Sequence, residues 1–133
     1  MIKVLVDENL SEHFAEGLNK MQFPLNNHIQ VTSIAREFYK GIKDEEWIPE
    51  WGSQNGFFIT QDFNISKTRH QAALLIKHNL GAFFLKVPKS YKYWDKASLL
   101  VNKWQEVVSV IEKYKKPFAY EITPRKILKI HLS

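Results

Sequence analysis

Aspartates stand where predicted strands end and where a predicted helix begins, and these residues could hold a metal ion. The sequence has four aspartates, and three of them stand at such positions. Asp7 follows the first predicted strand, Asp44 opens the helix after the second strand, and Asp62 follows the third strand. Because ligands bind at the carboxyl ends of parallel strands, these three side chains are expected to lie together at that edge of the sheet.

Carboxylates brought together in this way repel one another. At a separation of about 4 Å, two unit charges repel by roughly 4 kcal/mol at an effective dielectric constant of about 20. A proton or a cation would offset this energy, and oxygen ligands favour Mg²⁺ or Mn²⁺ over zinc or copper. The alternative is that the three acids are ordinary solvated residues, because loops are wet and helix N-termini attract negative charge.

Other classes of site are excluded by residues that the sequence lacks. Without cysteine there is no disulfide, no thiolate nucleophile and no cysteine-bound zinc, so a reducing cytoplasm is the expected location. The histidines lack zinc-site spacing, and there is no glycine-rich phosphate loop. The longest apolar runs are about five residues, whereas a membrane span needs about twenty, and the amino terminus is not typical of a signal peptide.

The net charge of +5 conceals two halves of opposite charge. Residues 1–66 carry five basic and ten acidic side chains, a balance of −5, and residues 67–133 carry fourteen basic and four acidic ones, a balance of +10. An enzyme that acts on a polyanion needs both basic and acidic residues, since basic residues bind phosphates and acidic residues hold a catalytic cation. An ordinary solvated basic face, or one that binds an acidic protein, is the alternative.

Apolar runs and turn signals predict alternating strands and helices. Asn9 and Glu12 resemble a capping box for the first helix, and Pro49 requires that the helix opened by Asp44 starts late or is kinked. The element order favours an α/β protein, a three-layer α/β/α sandwich with a mostly parallel central sheet and a terminal hairpin or pair of edge strands. The predicted strands are 2–6, 28–33, 56–60, 82–85, 118–122 and 127–131, and the two later helices are 66–79 and about 94–114.

Helical spacing also predicts which side chains are buried. The first helix should bury Leu10, Phe14, Leu18 and Met21, and the helix over 66–79 should bury Ala72, Leu75, Ile76 and Leu80.

Two segments carry a resemblance to a known family. Residues 1–10, MIKVLVDENL, and residues 41–65, GIKDEEWIPEWGSQNGFFITQDFNI, resemble the PIN-like nuclease domains, in particular the VapC-type toxins of toxin–antitoxin pairs. The resemblance implies one PIN-like domain over residues 1–133 that acts as a metal-dependent endoribonuclease in the cytoplasm. It implies Mg²⁺ or Mn²⁺ as cofactor, RNA as substrate and an antitoxin as partner, and it allows a homodimer.

The resemblance also assigns residues. It implies that Asp7, Asp44 and Asp62 are the catalytic metal ligands, with Glu45 a second candidate at the helix position. Many relatives carry a further acid two residues after Asp62, where this chain has Asn64. An amide oxygen can coordinate a cation but brings no charge, so metal binding would be weaker.

Basic and aromatic residues form two candidate RNA-binding groups, each of which could equally be a solvated surface. Trp47 and Trp51, at i and i+4, fit a buried helix face better than a base-stacking surface. The first group follows the third strand, and the second combines lysines with tyrosines that could stack on unpaired bases. The groups are Lys67, Arg69 and His70, and Lys89, Tyr91, Lys92 and Tyr93.

Two other functions fit parts of the sequence. A catalytically silent module that binds RNA or an antitoxin would explain Asn64 and the incomplete set of acids. A response-regulator receiver domain would explain Asp7, Glu8 and the pair Lys116-Pro117, but receivers continue after Lys-Pro into a helix, whereas this chain continues with residues typical of strands.

Overall fold

The strands form from short apolar runs, whose successive side chains point to opposite faces of one sheet. The computed structural model describes residues 1–61 and 69–131. The strands are β1 Ile2–Val6, β2 Ile29–Ser33, β3 Gly56–Thr60, β4 Gly81–Leu85, β5 Phe118–Ile122 and β6 Ile127–Ile130. Along β3 and β4 every residue is buried, as expected for central parallel strands covered on both faces.

These six strands form one sheet in the order β2-β1-β3-β4-β5-β6. Neighbouring strands from β2 to β5 are parallel, and β6 pairs antiparallel with β5. The predicted mostly parallel sheet and terminal hairpin are therefore confirmed, with β6 as the edge strand. Val6 is in register with Ser33 of β2 and Ile59 of β3, so the carboxyl ends of these three strands are level.

Helices cover both faces of the sheet, which confirms the predicted three-layer sandwich. The helices are α1 Glu12–Gln22, α2 Ile34–Glu37, α3 Asp44–Gly52, α4 Arg69–Lys77 and α5 Tyr93–Lys113, and a 3₁₀ turn spans Glu8–Leu10. One face of the sheet packs against α1 and α5 through a cluster that includes Val4, Val6 and Leu100. The other face packs against α2, α3 and α4 through a cluster that includes Leu5 and Trp51.

The predicted cap of the first helix is wrong. Asn9 lies in the 3₁₀ turn, which Asp7 caps, and α1 is instead capped by Ser11, whose Oγ accepts a hydrogen bond from the amide of His13 at 3.1 Å. Met21, predicted to be buried, is 61% exposed. Gln22 takes the inward position, because its amide donates to the Ile29 carbonyl at 2.8 Å and its Oε1 accepts from the Trp104 indole at 3.2 Å.

Pro49 does not delay the start of α3, which begins at Asp44 and contains the proline, so the predicted late start is wrong. An internal proline costs about 3 kcal/mol. Trp47, Ile48 and Trp51 are all buried in this helix, and burial of each large side chain contributes about 1.5–3 kcal/mol. Packing therefore outweighs the lost hydrogen bond, and the prediction that Trp47 and Trp51 are core residues is confirmed.

In α4 the predicted inward positions are partly confirmed. Leu75 is fully buried and so is Leu80, which lies just after the helix ends, whereas Ile76 is 45% exposed. Across the described ranges, none of the helices is both long and apolar enough to span a membrane.

Candidate active site

Asp7 is fixed at the carboxyl end of β1 by hydrogen bonds to both of its oxygens. Its amide continues the sheet by donating to the Ile59 carbonyl at 3.0 Å. The Thr60 hydroxyl donates to Oδ2 at 2.6 Å, and the Glu8 amide donates to Oδ1 at 2.7 Å. The Asn9 side chain adds a longer bond to Oδ2 at 3.3 Å. The half-buried carboxylate is therefore oriented by the neighbouring strand and by its own turn.

Asp44 is held by the helix that it begins. Its Oδ1 accepts a hydrogen bond from the Trp47 indole at 3.1 Å. The indole is buried and meets the Phe58 ring edge-on, with 5.1 Å between ring centroids and an interplanar angle of 84°. Asp44 is itself half-buried, and its position in the first turn is one that the helix dipole favours for a carboxylate.

Asp7 and Asp44 line one small pocket, called here the acidic pocket. Its volume is about 40 Å³, and a single water needs about 10–15 Å³, so there is room for a small cation with a water molecule. The carboxylates and the Thr60 hydroxyl offer oxygen atoms that could bind a cation, and the other lining side chains are apolar. The lining residues are Leu5, Asp7, Ile34, Asp44, Trp47, Phe58 and Thr60.

The oxygen atoms that line the acidic pocket are of the type that binds a hard divalent cation, since Mg²⁺ and Mn²⁺ prefer carboxylate and hydroxyl oxygens as ligands. Glu45, the second candidate at the helix start, is exposed and does not line the acidic pocket. Asp62 and Asn64 lie outside the described residues. Within residues 1–61 and 69–131 there is no group of three acidic or histidine side chains that could hold a metal.

Two hydrogen bonds that the sequence did not predict hold the segment that precedes Asp44 near the candidate site. The Glu8 carboxylate accepts from the Gly41 amide at 2.7 Å, and the Tyr39 hydroxyl donates to Glu46 at 2.8 Å. The hydrogen bond to Glu46 raises the pKa of Tyr39, with smaller contributions from burial and from the Glu46 charge. Thr60 and Trp47 were not predicted as site residues either. Thr60 could have been, because a threonine at the end of the strand next to that of Asp7 is expected to lie near the Asp7 carboxylate.

The structure describes only part of the predicted RNA-binding groups. Lys67 lies outside the described residues, and the side chains of Arg69 and His70, in the first turn of α4, do too. In the second group Lys89 and Lys92, which precede α5, and Tyr93, its first residue, are exposed, whereas Tyr91 is half-buried and packs against the core.

Lys116 lies at the opposite edge of the sheet from Asp7. It precedes β5, whereas Asp7 follows β1, and the two strands run in the same direction. The Lys116 ammonium group contacts Asn55 and lies 4.8 Å from the centre of the Phe57 ring. The strand that follows Lys116-Pro117 and this separation both argue against a receiver-type site.

A family model described as a PIN-like domain matches residues 2–87, which is more than half of the chain and includes all three predicted acids. No curated protein and no solved structure matches the chain. The predicted family is confirmed, and the VapC-type subgroup stays a prediction. With its parallel sheet and its acids at the carboxyl edge, the chain belongs to the PIN-like domain family, whose members are commonly nucleases.

Proposed function

We propose that the protein is an endoribonuclease that depends on Mg²⁺ or Mn²⁺ and holds the cation with Asp7, Asp44 and Asp62. The observation that supports this proposal most is that Asp7 and Asp44 line one pocket at the carboxyl edge of a PIN-like sheet. Asp62 follows the end of β3 by two residues and completes the set by its place in the sequence. Glu45 is the second candidate for the metal ligand at the start of the helix, and Asn64 would add an amide oxygen.

Held by Asp7, Asp44 and Asp62, the cation would supply Lewis-acid chemistry, namely polarisation of a phosphoryl oxygen and activation of a water for attack. The protein's own part is to orient the ligands. Thr60 and the Glu8 amide hold the two oxygens of Asp7, and the Trp47 indole holds Asp44. Such outer contacts matter, because their loss typically costs ten- to a hundredfold in metal affinity or activity.

RNA is the proposed substrate because the acids lie in a protein whose second half carries an excess of ten basic residues. Lys67, Arg69 and His70 remain candidates for contacts to the phosphates. A role as the toxin of a toxin–antitoxin pair in the cytoplasm, with an antitoxin as protein partner, follows from the family resemblance and belongs to the same proposal.

A second candidate function is a catalytically silent module that binds RNA or an antitoxin. It is favoured by Asn64, which replaces an acid found in many relatives and leaves the site with less negative charge. Such a module would bind RNA in a salt-sensitive way and would be indifferent to chelators. Cleavage that requires Mg²⁺ or Mn²⁺ would eliminate it.

The test is cleavage of single-stranded RNA by the wild type, Asp7→Asn and Asp95→Asn, each with Mg²⁺, Mn²⁺ or EDTA. Asp95 is the matched control, since it carries the same charge but accepts a hydrogen bond from the Lys92 amide, outside the acidic pocket. We expect cleavage by the wild type and Asp95→Asn with either metal, none in EDTA, and a loss of more than about a hundredfold in Asp7→Asn. Full activity in Asp7→Asn would refute the assignment.

A further inference from the structure

We propose that a second pocket, on the other side of the turn after β1, binds a nucleobase next to the phosphate that is cleaved. This inference rests on the proposed function and names a binding site for its RNA substrate. The pocket has a volume of about 140 Å³ and is called here the tyrosine pocket. Its lining includes Asn9, Leu10 and Phe14 from the amino-terminal region and Tyr93, Lys96 and Leu100 from α5.

The size and lining of the tyrosine pocket suit a flat ring. A cavity of about 150 Å³ in a protein interior binds benzene, so this pocket has room for one six-membered ring. Leu10, Phe14 and Leu100 are buried and form apolar walls. Tyr93 is 45% exposed, so its ring is available to a ligand. Stacking of a base on an aromatic side chain contributes about 1–3 kcal/mol.

The polar groups of the pocket suit the edge of a base and the adjoining phosphate. The Asn9 amide can both donate and accept, and Lys96 brings a positive charge. Lys89 and Lys92 are exposed nearby in the sequence. The acid of this turn, Asp95, is engaged as the helix cap, with Oδ2 accepting from the Lys92 amide at 2.9 Å. The exposed aromatic ring and the amide favour a nucleobase here, and the lysines favour the phosphate beside it over a purely apolar protein segment.

The position of the tyrosine pocket connects it to the acidic pocket. Asn9 lines the tyrosine pocket and its side chain donates to Asp7 Oδ2 at 3.3 Å. Asp7 and Asn9 are two residues apart, so their Cα atoms are separated by at most about 7 Å. An RNA strand with a phosphate at Asp7 can therefore place a neighbouring base in the tyrosine pocket.

The test measures the affinity of fluorescent single-stranded oligoribonucleotides by anisotropy, in the Asp7→Asn background to prevent cleavage. Tyr93→Ala and Lys96→Met change the pocket, and Tyr114→Ala and Lys113→Met make the same changes at the other end of α5. We expect Tyr93→Ala to weaken binding by at least about fivefold, Tyr93→Phe to retain it, and Tyr114→Ala to leave it unchanged. Lys96→Met should lower the salt slope by about 0.7, and Lys113→Met should not.

The outcomes separate this inference from the proposed function. If the wild type cleaves RNA and Tyr93→Ala binds RNA as tightly as Tyr114→Ala, the pocket inference is overturned while the nuclease stands. If the wild type does not cleave but Tyr93→Ala still weakens RNA binding selectively, the pocket stands and the nuclease fails. An equal loss by Tyr93→Ala on an abasic oligonucleotide would also overturn the inference, because a base would then not be the ligand. Absence of any RNA binding would overturn it as well.

Discussion

The turn after β1 has a pocket on each side, and the two differ in size, charge and packing. The acidic pocket of about 40 Å³ shares residues with the core beneath α2 and α3, and it presents two carboxylates. The tyrosine pocket of about 140 Å³ shares residues with the core beneath α1 and α5, and it presents an aromatic ring and an ammonium group. Under the two proposals, one face of the sheet would supply the chemistry and the other would supply affinity for RNA.

Two buried indoles show the same contrast. Trp47 donates to the Asp44 carboxylate at the edge of the sheet, whereas Trp104 donates to the neutral amide oxygen of buried Gln22 on the opposite face. A carboxylate is costly to bury unless it is paired, and Asp44 is half-buried at a pocket that water or a cation can enter. The indole at the acidic pocket therefore has a charged hydrogen-bond partner, whereas the indole in the deep core has a neutral one.

The sharpest test within the acidic pocket compares two neighbouring acids. Asp44 lines the pocket, and Glu45 does not. We expect Asp44→Asn to lower RNA cleavage by more than about a hundredfold and Glu45→Gln to lower it by less than about tenfold, with RNA affinity retained in both. Cleavage rates and anisotropy would be measured side by side. A larger loss in Glu45→Gln would move the metal ligand from Asp44 to its neighbour.

The two indoles offer a matched comparison across the sheet. Trp47→Phe removes the donor to Asp44, and we expect a ten- to hundredfold loss of Mn²⁺ affinity or of cleavage. Trp104→Phe removes an equivalent donor to Gln22, and we expect a loss of stability of about 1–3 kcal/mol from the unsatisfied buried amide, with no change in metal affinity. Calorimetric Mn²⁺ titration and urea unfolding measure the two effects. Equal metal affinity in the two variants would contradict the contrast between the faces.

A smaller effect is expected from the hydroxyl that orients Asp7. Thr60→Val keeps the shape of the buried side chain and removes the donor to Asp7 Oδ2, while the Glu8 amide still holds Oδ1. We expect about a tenfold fall in cleavage, at the low end of the range for such contacts. Thr32→Val is the control, because buried Thr32 donates instead to Glu37. A similar fall in both variants would mean that Thr60 has no specific role in orienting Asp7.

The smallest effect concerns the segment that precedes Asp44, and it depends on pH. The pKa of Tyr39 is raised, mainly by the hydrogen bond to Glu46, so folding favours the protonated phenol. Its contribution to stability is present below the ordinary pKa of tyrosine, about 10, and is lost as the pH rises through the higher folded value. Thermal melts of the wild type and Tyr39→Phe should therefore differ slightly at neutral pH and converge at alkaline pH. A difference that persists above the raised pKa would rule out this contribution.

Much of the fold was predictable because strong local signals agree with the tertiary structure. Short apolar strands such as 2–6 and 56–60 alternate with amphipathic helices, and a parallel sheet with helices on both faces is the arrangement that buries both. The convergence of Asp7 and Asp44 followed from the same topology, since acids that follow parallel strands or open the next helix share one edge.

What could not be predicted depends on contacts between residues distant in the sequence. Met21 has the helical spacing of a core residue, but Gln22 is buried instead because Ile29 and Trp104 supply its hydrogen-bond partners. The tyrosine pocket is likewise formed by the 3₁₀ turn and by a helix more than eighty residues later, so no local pattern marks it.

The most direct test of the metal site is a thermal melt with and without MnCl₂, run on the wild type and Asp7→Asn together. A ligand at a hundredfold excess over its dissociation constant stabilises the folded state by about 2.7 kcal/mol, which is several degrees for a domain of this size. We predict a rise of several degrees in the wild type and none in Asp7→Asn. An equal shift in both proteins, or no shift in either, would contradict a tight cation site at the acidic pocket.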